Sequence, residues 1–258
     1  MKEFFGIGGF HREPEGFMSW QHLVFVSSLM VLMTVLSLWL GKRNEKRTEK
    51  EKNRVLVWAA LLIDGFELFK IVLSCAEDPN SWRTMLPLFL CSIQLITIPL
   101  AAFSRGRIKA AALDFVCIFG LLGAVLGTYG AGQNYNAYPV LSFPNVVSGI
   151  THTISGFAAL YIMMSGMASM EKKDMPISLG ILTFFCVAAY TANSLLGYNY
   201  MFLVRGDGTP YDIFYNLVGG HKVLYPTVVI GLFFLYILVF YTVYYRVKTK
   251  NREKMAAK

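Results

Sequence analysis

The sequence predicts an all-α polytopic membrane protein: a bundle of seven transmembrane helices, with the N-terminus outside and the C-terminus in the cytoplasm. Three observations lead there. Hydrophobic residues make up 55% of the chain and charged residues 16%, against about 45–50% and 25% in soluble domains. The apolar residues gather into seven runs, each near the roughly 20 residues that carry a helix across about 30 Å of hydrocarbon. Lysine and arginine concentrate on alternate connections between those runs, as they do in chains oriented by a bilayer. At 258 residues and a mean hydropathy of +0.48, a soluble fold has no interior large enough for the surplus. A bilayer supplies one.

Residues 1–20 form an arm before the first run. It lacks the apolar core and small-residue cleavage site of a signal peptide and is expected to be extracellular. The runs are Gln21–Gly41, Val55–Cys75, Met85–Phe103, Ala110–Tyr129, Val147–Met170, Pro176–Gly197 and Val223–Tyr245. The second carries Asp64, Glu67 and Lys70. The third holds Pro87 and Pro99, kinks that lipid tolerates where neighbouring groups re-satisfy the backbone. Alternation in ten-residue segments, the mark of a membrane barrel, is absent. No linker or repeat divides residues 21–245, which read as a single seven-helix membrane domain. Residues 246–258 read as a basic, solvated cytoplasmic tail.

Lys42–Arg54 holds seven Lys/Arg, Ser104–Lys109 three, Glu171–Met175 two and the tail six, eighteen in all. The arm, Ala76–Thr84, Gly130–Val146 and Tyr198–Lys222 together hold five. The basic set stays in the cytoplasm, so the net charge of +8 is a signal of topology. Nucleic acid is not an expected partner, because the basic residues lack interleaved aromatics and a recognition fold.

Several chemistries drop out. The four cysteines, Cys75, Cys91, Cys117 and Cys186, form no CxxC or CxxH pair, and no two histidines lie four apart, so neither kind of zinc site is spelled out. Val223–Tyr245 has no lysine for a retinal Schiff base. All four histidines fall toward the outer face, which argues against haem held between both faces. No metal and no cofactor is expected. Membrane lipids are the expected surroundings and substrate, and the oligomeric state is left open.

The remaining polar residues gather in the outer half. Lys70 lies roughly 7 Å and Glu67 roughly 12 Å below the outer interface, while Cys91, Ser92 and Gln94 reach about 9–14 Å from the same side. His152 lies several residues into the fifth run, among Thr151, Thr153 and Ser155; Asn193, Asn199 and Tyr200 mark the outer end of the sixth. Charges inside a span are expensive and mark functional sites, although Glu67 and Lys70, three apart, also neutralise each other along one helix face. His22 and His221 sit at the interface, where solvation suffices. A cysteine such as Cys91 is more often a packing residue. Its depth nevertheless matches that of His152, and a thiol becomes a nucleophile when an imidazole removes its proton. Spacing alone leaves open whether the two helices bring them together.

The run LPLFLCSI in the third span, the early histidine of the fifth, GYNYMFL after the sixth and the aromatic seventh resemble YwaF-type bacterial seven-helix membrane proteins. These are distantly similar to the transmembrane protein 164 acyltransferases. The resemblance covers nearly the whole chain in topology and rests on short motifs; Tyr225–Pro226 stands where the bacterial pattern has a tryptophan–proline step. It implies a bacterial plasma-membrane protein whose Cys91 and His152 handle acyl groups of membrane lipids. Glu67, Lys70, Gln94, Asn193, Asn199 and Tyr200 would then bind substrate or support the site. The expected function is lipid acyl transfer or hydrolysis. The competing expectation is a transporter or small-molecule-binding protein using Asp64, Glu67 and Lys70, although the repeats and broken helices of transporters are not evident.

Overall fold

A computed structural model of the chain describes residues 2–168 and 170–256. Met1 of the arm, Ser169 of the fifth run and Ala257 and Lys258 of the tail lie outside the described residues. The fold is helical, with no strand among the described residues. It comprises two compact units, Met1–Ser169 and Met170–Lys258.

The first unit contains α1 (Lys2–Phe5), α2 (Trp20–Asn44), α3 (Glu49–Glu77), α4 (Gln94–Phe103), α5 (Gly106–Tyr129), α6 (Gly132–Ala137) and α7 (Phe143–Met164). Local chemistry sets several starts. Ser19 accepts the His22 amide to cap α2, and Thr48 with Glu51 forms a reciprocal capping box on α3. Helix α7 packs against α2, α3 and α5, while α4 packs against α3 and α5. Small residues permit this closeness. A Cβ at Gly156 would lie 2.6 Å from that of Ala124, and one at Gly120 would lie 2.7 Å from the Ser155 carbonyl oxygen. Such contacts replace the hydrophobic drive that helices lack in lipid.

Among the described residues, five segments are long and apolar enough to cross a membrane: Trp20–Asn44, Gly106–Ala137, Phe143–Met164, Met175–Leu196 and Leu224–Val247. The two other expected runs take different forms. Val55–Cys75 lies within the 29-residue α3, which carries its charges mid-helix. Met85–Phe103 is not one helix. After a 3-10 turn at Ser81–Thr84, residues 85–93 are irregular and α4 begins only at Gln94. The cause lies at Leu86–Pro87, since proline has no N–H and disfavours the helical conformation in the residue before it. Ser92 then fixes a turn. Its hydroxyl accepts the Phe89 N–H at 3.0 Å and bonds back to the Phe89 carbonyl at 3.0 Å. Cys91 therefore stands on a turn rather than inside a helix.

The second unit contains α8 (Met175–Leu196), α9 (Tyr211–Leu217) and α10 (Leu224–Ala256), with α8 and α9 packed on α10. A buried Ser178–Tyr241 hydroxyl contact of 3.1 Å ties α8 to α10. Gly197, in the left-handed conformation, ends α8. Helix α10 runs on through Ala256, so the segment expected as a tail continues the last helix.

Candidate functional site

Cys91 and His152 share a support. Helix α5 carries Gly123 and Gly127, four residues apart and hence on one face, with roughly 6 Å between their side-chain positions. A Cβ at Gly123 would sit 3.4 Å from Cys91 Cβ, while one at Gly127 would collide with the His152 imidazole. The turn before α4 and helix α7 thus set a thiol and an imidazole on the same face of α5. Both side chains are half-buried.

Helix α3 closes the group. Lys70 Nζ lies 2.6 Å from Glu67 Oε1, and the side chains are only 20% and 13% exposed, so the pair faces protein. Glu67 and Lys70 both act electrostatically on Cys91, and Lys70 acts on His152 as well. Gln94 is fully buried beside the turn: its N–H donates to the Cys91 carbonyl at 3.3 Å, and its Oε1 accepts from Thr97 at 3.1 Å. Its Nε2 has no partner among the described residues. Asp64, one turn from Glu67, has a buried Oδ1 that is likewise unpartnered among them.

Asn193, Asn199 and Tyr200 belong to the second unit, where they build a loop. Asn193 brackets the Tyr200 backbone, accepting its N–H at 2.6 Å and donating to its carbonyl at 3.0 Å. Asn199 accepts the Val204 N–H and donates to the Arg205 carbonyl and to Asp207, each at 2.8 Å. These bonds hold Met201 and Phe202 at positive φ, 55° and 56°, conformations that side chains ordinarily avoid. Tyr200 is fully buried, its ring 4.8 Å from that of Tyr198.

His22 and His221 have local contacts. His22 is fully buried, with Nδ1 accepting the Met18 N–H and Nε2 therefore donating to the Thr128 carbonyl. His221 accepts the Val223 and Leu224 amides at the start of α10. All four cysteines are free thiols; Cys117 and Cys186 are buried in the packing. Among the described residues no group of three His, Cys, Asp or Glu is placed to hold a metal ion. Gly123 and Gly127 position the site by having no side chain, and Ser92 does so through the turn its hydroxyl fixes on Phe89. The run GLLGAVLG did contain the signal, a four-residue glycine spacing inside a span.

The sequence model of the TMEM164 family matches residues 17–244, and the chain belongs to that family. No curated protein and no solved structure matches it. With its long apolar helices, this membership makes the chain a multi-pass integral membrane protein surrounded by membrane lipid.

Proposed function

We propose that this TMEM164-family protein is a membrane-embedded lipid acyl-transfer enzyme, an acyltransferase or hydrolase, with Cys91 as nucleophile and His152 as general base. The observation that carries this reading is the common seat of the two side chains on Gly123 and Gly127. His152 removes the thiol proton, and the sulfur attacks the carbonyl carbon of a lipid ester. The tetrahedral intermediate collapses as the ester C–O bond breaks, and the departing alcohol takes the proton from His152. A thioester remains on Cys91. A hydroxyl acceptor or water, deprotonated by His152, then attacks that thioester and releases the thiol. Gln94 Nε2, buried with no partner among the described residues, is the proposed donor to the oxyanion. Removing one such donor elsewhere costs about 3–4 kcal/mol of transition-state stabilisation. Lys70 and Glu67 hold the lipid headgroup, and Asn193, Asn199 and Tyr200 shape a loop of the second unit.

In the membrane we assign seven crossings with the N-terminus outside, in a bacterial plasma membrane and of the YwaF type. Helix α3, about 43 Å long at its 29 residues, and the broken segment 85–103 supply the crossings beyond the five apolar ones. Irregular backbone at such depth is tolerated where protein covers it. Acyl trapping tests the chemistry. Incubation with a labelled phospholipid should leave a hydroxylamine-labile adduct on the wild type and none on Cys91→Ala; an adduct surviving that substitution overturns the reading. A second reading, solute transport through Asp64, Glu67 and Lys70, draws on the unpartnered Asp64 oxygen. Proton-coupled uptake lost in Asp64→Asn and kept in Cys91→Ala would favour it.

A further inference from the structure

Between α2 and α3, over α7, lies a groove of about 460 Å³. It runs along the helices, from Leu40 and Val55 at one end to Leu29 and Phe66 at the other. Eleven residues of rise on each flanking helix make it about 16 Å long. That is close to half of the roughly 30 Å hydrocarbon core, the reach of a chain in one leaflet. The lining is aliphatic and aromatic except for Thr153, whose hydroxyl donates to the Gly149 carbonyl at 2.7 Å. Apart from the Trp58 indole N–H, the groove offers a ligand no free donor.

The head of the groove differs in character. Lys70 stands one turn beyond Phe66 on the same face of α3, paired with Glu67 and acting on both Cys91 and His152. An ammonium has three donors, so an anionic or carbonyl oxygen can join Glu67 there. A long apolar groove with a charged group beyond one end suits an amphiphile with an extended tail.

We infer that this groove binds the fatty-acyl chain that is transferred, with its ester at the Lys70 end beside Cys91; the inference rests on the acyl-transfer reading. The test uses the full chain in phospholipid nanodiscs, with wild type, Leu62→Trp and Ala59→Phe. Leu62 lines the groove yet is 49% exposed, so bulk there strains no packed core even if Ala59→Phe fails to fold. A phospholipid carrying a diazirine midway along its acyl chain should cross-link to groove residues such as Trp58 and Phe157, and the variants should lower that yield. Turnover of a palmitoyl ester should fall at least about tenfold in the variants while that of a hexanoyl ester stays within about twofold, the scale on which apolar pockets discriminate chains. Cross-links in the groove without turnover by the wild type would uphold the groove and sink the transferase reading. Equal loss for both esters, or cross-linking indifferent to the variants, would overturn the groove while leaving that reading intact.

Discussion

Gly127 and His152 share one volume, because the imidazole fills the space that a side chain on α5 would occupy. Gly123, one turn earlier, stands at an ordinary contact distance of 3.4 Å from Cys91 Cβ. The two glycines are therefore not equivalent. Gly127→Ala should expel the ring from its seat and lower acyl-adduct formation on Cys91 roughly 100-fold, the effect of about 1 Å of misplacement. Gly123→Ala should stay within about threefold, since its new methyl meets ordinary van der Waals contact. Adduct yields of the two variants, at matched folding by thermal melt, check this; equal yields would remove α5 as the common support.

This relationship marks the limit of what the sequence revealed. The helical class and the long spans were legible, because apolar length and basic asymmetry act locally. The interruption at 85–93 was not, although Pro87 stood in plain view: the span was apolar throughout, and hydropathy does not register a missing N–H. Depth counting placed Cys91 and His152 at one level. Their common seat on α5 depends on which faces α5 and α7 present to one another, and single-span periodicity is silent on that. Asn193 and Asn199 read as polar candidates, yet their amides hold the Tyr200–Arg205 backbone, a use that sequence spacing does not reveal.

Lys70 and Glu67 lie largely under protein, and such pairs are asymmetric in energy. Removing one partner strands the other charge, at a cost of roughly 3 kcal/mol, whereas replacing both is nearly neutral. Lys70→Met should therefore lower the melting temperature in detergent, and adding Glu67→Gln should restore most of it. Neither variant should retain the headgroup contact, so both should bind phospholipid weakly. A double variant less stable than Lys70→Met would show that the two charges have other partners.

Asn193 holds both backbone groups of Tyr200. Asn193→Leu takes the amide oxygen from the buried Tyr200 N–H and leaves its carbonyl to the longer Leu203 N–H bond of 3.3 Å, costing roughly 1–3 kcal/mol. The positive-φ residues Met201 and Phe202 lose their clamp at the same time. Faster protease cleavage within 198–212 is the expected readout; unchanged cleavage would mean that the loop holds itself without this amide.

Topology is tested in a variant lacking native cysteines. Single cysteines placed in 42–54 and after 246 should resist an impermeant maleimide in intact cells, and those in 130–146 should react. The basis is the division of basic residues, eighteen against five. Labelling of the 42–54 connection from outside would invert the orientation and put the Cys91 site in the cytoplasmic half.

The arm docks through Glu15, outside the spans. Its Oε2 accepts the Val140 N–H at 2.8 Å, its Oε1 pairs with Arg12, and Phe17 N–H nearby donates to Asn136 Oδ1 at 2.8 Å. Burial pushes the carboxyl up, but the amides of Val140 and of Glu15 itself, together with Arg12, outweigh it and hold the group below the ordinary value of 4.5. A carboxylate depressed in the docked state stabilises docking fully above its undocked pKa and loses that contribution as pH falls through the docked value. The arm should therefore loosen on acidification below about pH 4.5 and stay docked near neutrality. Hydrogen exchange at the Phe17 and Val140 amides, corrected for the intrinsic rate, should rise across that range in the wild type. Glu15→Gln, which has no carboxylate to protonate, should exchange faster at neutral pH and change little on acidification. Identical pH profiles for the two proteins would show that another group controls the arm.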